Sequence, residues 1–75
     1  MRDKRGQFVK LAQARVTKAT QTIRLIGNLA NANNYAYSEG DAQKIFAALD
    51  GEMKLLKAKF QTALSKRAKD KFKLD

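Results

Sequence analysis

From Ala42 to Leu64 the chain places an apolar residue at nearly every third or fourth position. Ala42, Ile45, Phe46, Leu49, Met53, Leu56, Phe60, Ala63 and Leu64 fall within roughly 100° of arc when wound at about 100° per residue. A strand repeats every two residues and cannot gather this set on one face. The spacing predicts an amphipathic helix over about residues 39–65. Ser38 stands where an N-cap belongs, and Asp41 three residues on supplies a short form of the capping box. Glu39 and Asp41 put negative charge at the positive end of the helix dipole. Tyr37 and Ala42 occupy the positions of a hydrophobic staple. Past Leu64 the register fails, because Arg67 and Lys71 fall where the next apolar residues belong.

A second stripe precedes the first. Phe8, Ala12, Ala19, Ile23 and Ile26 lie within roughly 60° of one another, and Leu11, Val16 and Val9 widen the arc to roughly 160°. This predicts a helix over about residues 7–26. Gly27-Asn28 reads as its stop, since both residue types tolerate the left-handed conformation after a helix. The other reading has the helix fray on through Ala30. The stretch from Asn28 to Asn34 holds four Asn, whose side chains compete with helical hydrogen bonds and favour turns.

The fold class expected is therefore all-α: an antiparallel two-helix hairpin. With the turn centred near Asn34, facing residues have numbers that sum to roughly 68. Phe8 then meets Phe60, Ala12 meets Leu56, Ala19 meets Leu49, and Ile23 meets Ile45 and Phe46. At 75 residues the chain is one small domain with a modest core. An arc of ~160° is broader than one partner helix covers, so pairing of two copies into a dimeric four-helix bundle is expected. Residues 1–6 and 66–75 read as basic, flexible ends, the latter a frayed or solvated helical extension of the second helix.

Charge is the other strong signal. Lys and Arg number 16 against 7 Asp and Glu, for a formal charge of +9. Residues 1–30 carry seven basic and one acidic, residues 31–60 four of each, and residues 61–75 five and two. A hairpin would bring Arg2, Lys4, Arg5, Lys66, Arg67, Lys69 and Lys71 to one end, where they would form an anion-binding surface for nucleic-acid phosphates. The competing reading is plain solvation, or attraction to an acidic protein. Only Phe72 interleaves the tail, which is little for base stacking, and Phe72 with Leu74 could instead make a short oligomer contact. Lys54, Lys57 and Lys59 look like ordinary solvation.

Two further features stand out. Arg15 sits inside the apolar arc of the first helix, across from Glu52 and Met53 in the hairpin register. An edge ion pair with Glu52 is the simple reading, and a reach toward a partner's phosphate or carboxylate the sharper one. The loop is longer than a tight helix connection needs. Tyr35 and Tyr37 can pack under the hairpin tip, while Asn31, Asn33, Asn34 and Tyr35 are residue types suited to adaptable recognition of a protein partner.

Catalysis is not expected. The chain has no His, Cys, Trp or Pro, so thiol and imidazole chemistry and Cys/His zinc sites are excluded. Asp50 and Glu52 diverge on a helix, and Gly6, Gly27, Gly40 and Gly51 stand apart instead of forming a phosphate loop. No metal, cofactor or small-molecule substrate is implied. No apolar run approaches the ~18–20 residues of a membrane span. Met1-Arg2-Asp3-Lys4-Arg5 is followed by no hydrophobic stretch of the signal-peptide kind. A cytoplasmic protein is the expectation, with nucleic acid or an acidic protein as partner and a second copy of itself beside it.

The segments Arg24-Leu25-Ile26-Gly27-Asn28-Leu29-Ala30-Asn31, Asn34-Tyr35-Ala36-Tyr37-Ser38 and Lys44-Ile45-Phe46 resemble a family of small bacterial and phage proteins. That family shares R-x-I-G-N-L-x-N, then N-Y-x-Y-[ST], then K-I-F and a Lys-rich helix. The resemblance spans roughly residues 5–60. It implies a bacterial or phage origin and a fixed role for the loop, and brings no functional residue with it.

Overall fold

The computed structural model describes the backbone of residues 3–71 and the side chains of residues 3–67. Arg2, Phe72 and Leu74 therefore lie outside the described residues. The described chain contains two α-helices, α1 (Lys4–Gly27) and α2 (Glu39–Lys71), with a short 3-10 turn at Asn28–Ala30 and no strand. It divides into two units, Met1–Ala36 and Tyr37–Asp75.

In the first unit, α1 starts four residues before the apolar pattern does. Asp3 is the reason. Its carboxylate accepts the Gly6 N–H at 2.9 Å, and its carbonyl accepts the Gln7 N–H at 3.0 Å. The carboxylate thereby meets one orphan donor of the helix start while the carbonyl accepts the first regular helical bond, and Lys4, Arg5 and Gly6 become helical. The expected basic lead-in over residues 1–6 is thus, from Lys4 onward, the first turn of α1. Gly6 suits this cap because a Cβ there would strike the Asp3 carboxylate. Within the helix, Thr20 Oγ1 donates to the Thr17 carbonyl and Thr22 Oγ1 to the Lys18 carbonyl, each at 2.9 Å.

The end of α1 corrects the left-handed stop expected at Gly27-Asn28. Gly27 is helical, with φ −60° and ψ −29°, and no described residue has a positive φ. The helix instead tightens into the 3-10 turn Asn28–Ala30, the continuation through Ala30 that was the second reading. It is released only at Asn31, whose φ and ψ are −68° and 99°. Tightening the last turn satisfies terminal carbonyls without any left-handed residue.

In the second unit, the capping box at the start of α2 is complete. Asp41 N–H donates to Ser38 Oγ at 3.1 Å, and Ser38 N–H donates to Asp41 Oδ2 at 3.0 Å. Each residue satisfies the other's backbone donor. Helix α2 then runs through Lys71, six residues past the expected end of its packed part, as the helical extension expected there, and crosses the failure of register at Arg67 unbroken. Lys and Ala are good helix formers and need no packed face to stay helical there.

The apolar stripes are displayed on both helices. Among the described residues no side chain is buried, and Val9, Ala12, Ile26, Ala42 and Leu49 are only half-buried. Phe8, Phe46 and Phe60 keep 49%, 55% and 50% of their surface exposed. Neither unit forms a core by itself among the described residues. A helix buries its apolar stripe only against another surface, so capping and propensity carry much of the order seen here.

The glycines separate these local terms. A Cβ at Gly51 meets nothing within 4 Å, so Gly51→Ala is expected to stabilise α2 by about 1 kcal/mol through propensity alone. Gly6→Ala gains the same propensity but pushes Asp3 off its cap, which costs a similar ~1 kcal/mol. Far-UV circular dichroism during thermal melts checks this: Gly51→Ala raises helicity, and Gly6→Ala leaves it level or lower.

Candidate nucleic-acid interface and loop

Lys4 and Arg5 occupy the first turn of α1, where the N-terminal end of the helix dipole is positive and disfavours cations. The first turn carries no acidic residue to offset them. Asp3 just outside it is engaged with Gly6 N–H. The Arg5 guanidinium lies over the Phe8 ring, 5.8 Å from its centroid. At an exposed site that contact contributes about 0.5–1 kcal/mol, and it fixes the direction of one cation along the edge of the apolar stripe.

Lys66 and Arg67 are exposed on α2, and Lys69 and Lys71 continue the same helix. At about 100° per residue these four positions wind around roughly 200° of the helix surface and do not line up in one row. Cations near a helix C-terminus complement its dipole. Lys69 and Lys71, in the last turn of α2, gain from it, whereas it opposes Lys4 and Arg5, of which Arg5 has the Phe8 contact as an offset. Of the seven basic positions singled out, Lys4, Arg5, Lys66 and Arg67 have described side chains, Lys69 and Lys71 have a described backbone, and Arg2 is outside.

Charge along α2 is polarised. Residues 39–53 hold Glu39, Asp41, Asp50 and Glu52 against Lys44. Residues 54–71 hold Lys54, Lys57, Lys59, Lys66, Arg67, Lys69 and Lys71 against Asp70. Leu55 and Leu56 line an open depression between Glu52 and Lys59 that extends to Thr62 and Ala63. Leu55 is 62% exposed. It stands about 80° outside the apolar stripe, so periodicity alone does not single it out.

The loop is organised by Asn31. Its Oδ1 accepts the Asn33 N–H at 3.1 Å, the side-chain turn that Asn forms most readily. Its backbone carbonyl accepts the N–H groups of both Asn34 and Tyr35 at 3.0 Å. Asn31 thus builds the loop, and its side-chain oxygen is already engaged. Asn33 and Asn34 are exposed, and Tyr35 and Tyr37 keep 49% and 47% of their surface. The structure gathers the four loop candidates into one turn and gives them different work: Asn31 shapes it, while Asn33, Asn34 and Tyr35 are presented by it. The spacing of Asn31 from Asn33 was the available sequence signal for this division.

No described helix is long and apolar enough to cross a membrane. No protein-family model matches the chain, and comparison with curated proteins and with solved structures gives no match either.

The two kinds of Asn separate on substitution. Asn31→Ala removes the Asn33 bond and is expected to cost about 0.5–1.5 kcal/mol of local order. Amide hydrogen exchange by NMR checks it: Asn33 N–H exchanges faster in Asn31→Ala, whereas Asn33→Ala and Asn34→Ala leave the remaining loop amides unchanged.

Proposed function

We propose that this chain is a small, basic, non-enzymatic helical protein that binds nucleic acid through phosphate contacts with little sequence preference. The observation that carries the reading is the placement of Lys4 and Arg5. They stand in a helix first turn where the dipole disfavours cations and Asp3 is the one carboxylate beside them, and an external polyanion would offset the remaining cost. The basic half of α2 supplies the remaining charge. Contacts of this class dominate non-specific affinity and release counterions.

In this reading α1 and α2 form an antiparallel hairpin about Asn34, which sets Arg2, Lys4 and Arg5 beside Lys66, Arg67, Lys69 and Lys71. Arg15 then lies opposite Glu52. Two hairpins pair as a four-helix bundle that covers the displayed stripes. A cytoplasmic setting and the bacterial or phage family that the loop segment resembles belong to the same proposal.

A second reading has its own support in the exposed Tyr35 and the open apolar faces. The protein is then an interaction module or regulator that docks on another protein, an acidic one given the +9 charge. Large exposed apolar surface on a small helical chain marks such partners as readily as self-association.

Titration of labelled random-sequence duplex DNA at about 50 and 200 mM salt decides between them. Phosphate binding gives a slope of log affinity on log salt of several units. Lys4→Ala with Arg5→Ala lowers that slope by about two, roughly one per cation, and removal of residues 66–75 weakens binding further. Feeble binding at the lower salt overturns the nucleic-acid reading. The docking reading requires a protein complex that survives tail removal and fails on Tyr35→Ala or Asn34→Ala.

A further inference from the structure

The stripe on α2 is a heptad seam, and its flanks carry a pattern that a single chain does not use. Phe46, Met53 and Phe60 alternate with Ala42, Leu49, Leu56 and Ala63 in steps of four and three, the two core positions of a coiled-coil repeat. Phe46, Met53, Leu56 and Phe60 are each about half exposed. The positions that border the seam are Asp50 and Lys57 on one side and Glu52 and Lys59 on the other. Asp50 and Glu52 belong to the acidic half of the helix, and Lys57 and Lys59 to the basic half. Lys57 and Lys59 look like ordinary solvation when taken one at a time. Their heptad positions give them a place at an interface.

We propose that α2 pairs with α2 of a second copy of this chain, antiparallel, about a twofold axis between Lys54 and Leu55. Facing core residues then have numbers that sum to 109. Met53 meets the partner's Leu56, Leu49 meets the partner's Phe60, and Phe46 meets the partner's Ala63. Large residues face smaller or flexible ones in every layer. In an antiparallel pair like flanks face each other, so Asp50 stands beside the partner's Lys57 and Glu52 beside the partner's Lys59. The twofold axis repeats both, giving four opposite-charge pairs. A parallel pair gives only the Glu52–Lys57 match, twice. It also brings Arg67 against Arg67 and the two basic halves together. Charge complementarity thus selects both the occupant and its direction.

This inference rests on the bundle reading and specifies which helix forms the contact between copies. It does not depend on nucleic-acid binding.

Sedimentation equilibrium of the full chain tests it with charge variants. Lys57→Glu with Lys59→Glu lowers the net charge from +9 to +5, which reduces general repulsion yet sets Glu against Asp50 and Glu52. The dimer is expected to weaken about tenfold or more, since four surface pairs change sign. Adding Asp50→Lys and Glu52→Lys restores +9 and the complementary pattern, and dimerisation returns to about the native strength. The chain has no Cys, so single introduced thiols report direction. Oxidised Leu56→Cys links the two copies, because its counterpart is displaced by only about 4.5 Å along the axis. Ala42→Cys does not, being roughly 37 Å from its counterpart. A dimer unmoved by the double charge change, or efficient linking through Ala42→Cys, overturns the antiparallel seam and leaves the bundle standing. A native chain that stays monomeric at all concentrations overturns both.

Discussion

An α-helix cannot hide its own apolar stripe. This constraint governs everything seen in the chain. Both helices are well specified by local chemistry, through the Asp3 cap on α1 and the Ser38–Asp41 box on α2. Neither has a buried side chain among the described residues. Local terms of this kind contribute about 1 kcal/mol each, whereas most helical stability in proteins comes from covering an amphipathic face. The chain therefore holds its direction and its turn points by capping, and leaves the larger hydrophobic contribution to be realised against another surface. A second copy, another protein and a folded-back hairpin are three ways of supplying that surface, and they differ in the charges they bring along.

Charge is where those alternatives separate. The +9 total is spread unevenly. Only Lys4 and Arg5 sit where their own helix disfavours them. Cations toward the C-terminal end of α2 have a sufficient local explanation in the helix dipole, so their number alone says little about a polyanion. The dipole acts only over the terminal turns, so Asp50, Glu52, Lys57 and Lys59 in the middle of α2 fall outside that explanation, and plain solvation gives them no direction along the helix. Antiparallel pairing has one. The two proposals thus use different residues: the ends for phosphate, and Asp50, Glu52, Lys57 and Lys59 for the seam.

What the sequence made legible follows the range of the interactions involved. The all-helical class and the start of α2 were readable because a stripe with period 3.6 and a Ser-x-x-Asp cap are signals contained within a few turns. The start of α1 was missed because Asp3 lies among basic residues and five positions ahead of Phe8, the first stripe residue. The cap outweighed the absence of a stripe. The stop at Gly27 was misplaced for the opposite reason. Glycine permits a left-handed exit but does not require one, and the carbonyls at the end of α1 could be met by a 3-10 turn instead. In the loop, composition pointed to four residues without ranking them. The hydrogen bonds show that Asn31 shapes the turn, while Asn33, Asn34 and Tyr35 are exposed on it.

Phosphate binding and pairing, if both proposals hold, reinforce each other without sharing a residue. A twofold pair carries two sets of basic ends, and linking two modest phosphate-binding surfaces raises affinity well beyond either alone when both reach the same duplex. The polyanion in turn offsets the repulsion between two chains of like net charge, which is the main electrostatic cost of bringing them together. Binding that favours the pair must strengthen pairing by the same factor. A chain with no buried side chain among its described residues gains most from such coupling, since each partner that covers a stripe or neutralises an end adds directly to the stability of the helices.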